Sequence, residues 1–139
     1  MGLYVVFSSD KSMNYFHQNT PTNFKSHLNS PIILNGIWRV ALVEVNISSS
    51  ISKSNDIYLH YDICDDSIVN GNRKPLLRRL MTVETGNWSA ILETPHYVPV
   101  KLSEIDNIGI YITDDHGGLV SFLDYPSTVT LHFKAFPFL

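Results

Sequence analysis

In the segment TVTLHFKAF, residues 128–136, polar and apolar side chains alternate from Thr128 to Ala135. Val129, Leu131, Phe133 and Ala135 fall on one side, and Thr128, Thr130, His132 and Lys134 on the other. Successive side chains of an extended chain point to opposite faces, so the pattern predicts a strand with one face buried. IYLHYDI sets Ile57, Leu59, Tyr61 and Ile63 against Tyr58, His60 and Asp62, and NIGIYIT directs Ile108, Ile110 and Ile112 inward. Buried parallel strands would read as continuous apolar runs separated by helices, so the alternation argues against a doubly wound α/β arrangement.

Further strands are expected at Leu3 to Ser8, Pro31 to Leu34, Ile37 to Ile47, Leu76 to Val83, Trp88 to Leu92 and His96 to Val100. Asn35-Gly36, Asn70-Gly71, Gly86-Asn87 and Gly117-Gly118 supply turn chemistry between them, and Asn35-Gly36 between two apolar runs predicts a two-residue hairpin. One stretch reads as helical, near residues 20–28: Thr20 can cap it, Pro21 suits its first turn, and Phe24 and Leu28 share a helix face. SSSISKS, residues 48–54, reads as a flexible connection. The expected fold is all-β, a single jelly-roll β-sandwich of about eight antiparallel strands with one short helix, filling residues 1–139 as one domain.

Composition narrows the function. A 44% hydrophobic fraction with 17% charged residues describes a globular chain, and a net charge of −3 argues against a surface built for duplex nucleic acid. Cys64 is the one cysteine, so no internal disulfide exists and a reducing compartment is the natural reading. The apolar run Leu3 to Phe7 is too short for a signal peptide or a membrane span, and Val6 stands where a myristoylation site wants Ser or Thr. The expectation is a soluble, unprocessed chain with no membrane span, in which the tripeptides starting at Asn46 and Asn87 carry no glycan.

Asp114, Asp115 and His116 could offer ligands to a hard cation, but no further acids follow at calcium-loop spacing, and Asp and Gly are favoured in turns for backbone reasons. The reading is a polar strand-to-strand loop. Of the six histidines no two stand one residue apart, and His60 and His132 sit opposite their strands' apolar rows, where solvent or a subunit contact is expected. Convergence of His60, His96 and His132 on a metal is the competing reading. No nucleophile elbow and no phosphate loop occurs, and Asp65 and Asp66 beside Cys64 would raise its thiol pKa. The chain is expected to be no enzyme and to need no cofactor. Arg73, Lys74, Arg78 and Arg79 form a basic run, either a partner contact or an edge kept from pairing by charge and by Pro75. Tyr58, Tyr97, Tyr125, Phe136 and Phe138 have no evident core place, whereas Trp38 and Phe133 read as core. The aromatic tail AFPFL marks a candidate interface.

The order of motifs resembles the minor capsid, or penton, proteins of Polinton (Maverick) elements and adintoviruses. The likeness opens in YVVFSSDKSMNYFHQNTPTNFKSHLNSPIILNGIWRVALVEV and closes in KPLLRRL, PHYVPV and IGIYITDDHGGLVSF followed by STVTLHF. Trp38, Asp114, Asp115, Gly117, Phe122, Leu131, His132 and Phe133 stand in step with the family pattern, while His17, Arg39, His116 and Ser121 depart from it. The resemblance implies a virion protein: a single jelly roll forming homopentamers at capsid vertices beside the major capsid protein. It also implies intracellular assembly in the host nucleus, while the basic run and the net charge by themselves give no expectation of sequence-specific nucleic-acid reading. Contact segments would include SSSISKS, NGNRKP and the tail, with Arg73, Lys74, Arg78, Arg79, Asp114, Asp115 and His116 as candidate subunit or partner contacts. The alternative is a jelly-roll binding module that takes carbohydrate or a host receptor through Tyr58 and Tyr97.

Overall fold

The computed structural model describes residues 2–47, 55–64, 66–69, 71–82, 88–114, 117–120 and 126–136. These contain eleven strands: β1 Gly2–Ser8, β2 Asn23–Ile33, β3 Ile37–Ile47, β4 Asn55–Tyr61, β5 Ser67–Val69, β6 Asn72–Lys74, β7 Leu76–Thr82, β8 Trp88–Ile91, β9 Val98–Pro99, β10 Glu104–Thr113 and β11 Thr128–Phe136. The pairing is nested. β1 pairs with β11, β2 with β10, β3 with β8 and β9, β4 with β7, and β5 with β6, always antiparallel. β11 also pairs with β3, and β10 with β4. One sheet therefore runs β1-β11-β3-β8 with β9 beside β3, and the other β2-β10-β4-β7. Strands β1 to β4 alternate between the sheets.

The alternating rows found in the sequence are the inner faces. Val129, Leu131 and Phe133 of β11 are buried, as are Ile57, Leu59 and Tyr61 of β4 and Ile108, Ile110 and Ile112 of β10. Each such side chain stabilises the fold by about 1.5–3 kcal/mol relative to exposure. Two ring pairs join the sheets: Phe7 lies 5.7 Å from Phe24, and Tyr61 meets Phe133 edge-on at 6.3 Å. Trp38 is partly buried against this core and donates its indole N–H to the Asn35 carbonyl at 2.9 Å.

The structure corrects three expectations. No helix forms at residues 20–28. Thr20 to Asn23 make a turn, and β2 starts at Asn23. Phe24 and Leu28 share a face at a spacing of four in a strand as well as in a helix, so their spacing could not separate the two periods. Pro31 is tolerated because β2 is an edge strand with an irregular register between its pairings to Ile105 and Asn107. Asn35-Gly36 does make a turn, with Gly36 at φ +90°, but β2 and β3 belong to different sheets and form no hairpin. The paired two-residue connection lies instead between Val69 and Asn72, where Gly71 has φ +87°. The third concerns His60, treated below. The connection SSSISKS and the turn at Gly86-Asn87 lie outside the described residues.

Candidate functional site

The basic run does not form one patch. Arg73 and Lys74 are exposed on the β5–β6 hairpin, and Arg78 and Arg79 follow in β7. A bulge in β7 sets Arg78 opposite Leu59 and Arg79 opposite Tyr58, so the two guanidinium groups leave opposite faces of the strand. Arg78 turns inward at the sheet edge and donates to the Thr94 carbonyl at 3.3 Å, tying β7 to the β8–β9 connection of the other sheet. Arg79 shares a row with Tyr58 and Thr113, next to the turn that starts at Asp114. In that turn the Asp114 N–H donates to the Gly118 carbonyl at 2.9 Å, and the Asp114 carboxylate accepts the Gly118 N–H at 3.1 Å. Gly117 sits at φ +84°, a left-handed conformation that glycine adopts without strain. Asp114 thus closes the turn through its backbone and side chain. Asp115, His116, Phe122, Tyr125 and Phe138 lie outside the described residues.

His60 and His132 stand on opposite outer faces of the sandwich, one on each sheet, and do not converge. Among the described residues no three His, Cys, Asp or Glu side chains are placed to share a metal ion. His60 is 1% exposed, not solvent-facing as its strand position suggests. Its Nε2 bonds the Thr113 hydroxyl at 3.0 Å, its ring stacks on Tyr111 at 4.5 Å, and its Nδ1 has no partner among the described residues. Burial first, and the Lys74 ammonium second, push its pKa down to about 4. Cys64 is buried and forms no disulfide.

The outer face of the first sheet is the more developed surface. His132 pairs with Tyr4 on one side and Ala41 on the other. Its ring stacks on Tyr4 at 4.3 Å, and its Nδ1 shares a 2.8 Å hydrogen bond with the Tyr97 hydroxyl. In the next row Lys134 stands directly opposite Arg39. Lys134 Nζ lies 5.6 Å from both the Tyr97 and Phe136 rings, and the Arg39 guanidinium lies 5.1 Å from Phe136. Burial, helped by Lys134, holds the His132 pKa below its ordinary value. Farther along the face Glu44, Asn46, Ser89, Thr128 and Thr130 line an open groove of about 580 Å³ beside Ile91. Tyr97 and Phe136 therefore find their place here, whereas Tyr58 belongs to the other sheet and is buried.

Sequence reasoning missed Arg39 and Lys134 as a pair. They are far apart in the chain, and no local pattern reports which residue of β3 faces which residue of β11.

No protein-family model and no curated protein matches the chain.

Proposed function

We propose that the chain is a structural virion protein: the minor capsid, or penton, protein of a Polinton-like virus or virus-derived element. In this reading it is a jelly roll that forms homopentamers at capsid vertices beside the major capsid protein. The observation that carries the reading is the nested strand order. A jelly roll is a double-sheet roll of eight strands. Taking β8 and β9 as one interrupted strand and β5–β6 as a loop hairpin leaves eight strands, four in each sheet, wrapped from the outermost pair β1–β11 inward. The resemblance motifs add support: Trp38, Leu131, His132 and Phe133 lie on strands β3 and β11, and Asp114 and Gly117 lie in a turn closed by hydrogen bonds. Ring closure needs heterologous surfaces, and the sandwich offers different edges at its two sides.

Light scattering with negative-stain imaging tests the reading. Five-fold rings that enter shells with the major capsid protein are expected. A monomer at micromolar concentration that never joins such shells would overturn it.

One observation favours a second reading, a jelly-roll module for carbohydrate: the groove beside Ile91 is lined by a carboxylate, an amide and three hydroxyl groups. Tyr58 and Tyr97 do not share a face, so this reading rests on the groove and not on grouped tyrosines. Glycan-array binding lost in Glu44→Ala would support it, and an array without signal would remove it.

A further inference from the structure

Three of the four sheet edges carry features that discourage another strand. β2 holds Lys25, Pro31 and a broken register; β7 has a bulge, the inward Arg78 and the exposed Arg79; β8 and β9 are short, with Pro99 in β9. β1 has none of these. Its sequence GLYVVFS contains neither charge nor proline, it pairs with β11 over seven residues without a shift, and no described residue pairs with its other side. Tyr4 and Val6 are each 65% exposed. A long, uncharged, open edge is a template for strand addition. The Ser9 N–H donates to the Ser127 carbonyl, and the alternation of an antiparallel ladder from there turns the N–H and C=O groups of Tyr4 and Val6 to the open side.

Beside this edge lies positive charge that no described residue neutralises with an ion pair. Like charges directly opposite on neighbouring strands repel, yet Lys134 faces Arg39, and neither has an ion pair among the described residues. A Cβ at Gly2 would meet Nε2 of His132 before any other atom, so that nitrogen lies over Gly2, next to the edge. A neutral imidazole that accepts the Tyr97 hydroxyl proton at Nδ1 carries its own proton on Nε2 and presents it there.

We propose that β1 takes up an extended segment of a partner protein as an added antiparallel strand. Apolar side chains of the segment lie opposite Val6 and Tyr4, and a carboxylate opposite Gly2 meets His132 Nε2 and the Lys134 ammonium. Main-chain bonds supply affinity in such additions and alternate side chains supply specificity. The segment comes from a different protein, because none of this chain's own described edge strands, β1 included, contains an acidic residue. The inference rests on the assembly reading for its purpose and names the surface that serves it.

The probe is a capped, fluorescein-labelled peptide, Thr-Val-Thr-Ile-Thr-Asp-Thr, followed by fluorescence anisotropy. Comparison peptides carry Lys in place of Asp, or N-methyl groups on the Val and Ile amides. The Asp peptide is expected to bind about tenfold tighter than the Lys peptide, the difference one exposed charge contact can make when partly desolvated. Lys134→Glu, at an exposed position, reverses that order, and N-methylation abolishes binding. Equal binding of the Asp and Lys peptides, binding of the methylated peptide, or no binding at all overturns the proposal. Rings that come apart when the Asp peptide is added identify the occupant as a second copy and overturn its assignment to a different protein. Rings that form normally and ignore the peptide sink this inference alone, whereas a monomer that binds it sinks the assembly reading alone.

Discussion

His60 shows how much one side chain depends on what covers it. Its neutral form bonds Thr113 and stacks on Tyr111, and protonation would place a charge beside Lys74 in a buried site. Its folded pKa of about 4 lies below the ordinary value near 6.5, so the unfolded chain binds more protons between those values. Stability is therefore full above pH 6.5, falls as the pH drops toward 4, and is flat in this contribution below that. The loss amounts to about 3 kcal/mol, and urea unfolding of wild type and His60→Gln across this range should show a shallower fall in the variant. Phe133 is fully buried and edge-on to Tyr61 across the sheets; Phe133→Ala should lower stability by about 3–5 kcal/mol, read from the same unfolding curves.

At the level of strands, the edge devices make a distinct prediction. Arg78 occupies an inward-facing place on β7, where an apolar residue would complete the row with Leu80 and Leu59. Inward charge on an edge strand opposes pairing with other chains. Arg78→Val should leave the monomer fold intact and raise concentration-dependent aggregation, measured by static light scattering. β3 and β11 were legible to the residue: β11 alternates from Thr128 to Ala135, and β3 is a long run of β-branched and apolar residues bounded by the Asn35-Gly36 turn. Of β2 only the end from Pro31 was. The stretch leading into it carries helix-compatible chemistry at Thr20, Pro21, Phe24 and Leu28, and the ladder with β10, which no local signal announces, decides for the strand from Asn23. The Asn35-Gly36 turn likewise fixes a local change of direction but not which sheet receives the next strand.

For the whole molecule, the nested order makes the last strand indispensable. β11 lies between β1 and β3 and supplies Val129, Leu131 and Phe133 to the core. A chain ending at residue 127 should lose the dispersed proton spectrum of a folded protein, whereas removal of an edge strand would leave most of the ladder intact. Because the outermost pair joins the two ends of the described chain, loop closure precedes much of the stabilising contact, and refolding should take milliseconds to seconds in stopped-flow fluorescence. The alternating rows by themselves determined that the chain forms antiparallel strands with inner faces of Ile, Leu, Val and Phe, because side-chain direction in a strand follows from covalent geometry. Only the tertiary structure decided that His60 is covered, that Lys134 meets Arg39, and that no described strand pairs with the outer side of β1. Those outcomes depend on register and on which strands become neighbours, and both are set by contacts between residues distant in the chain.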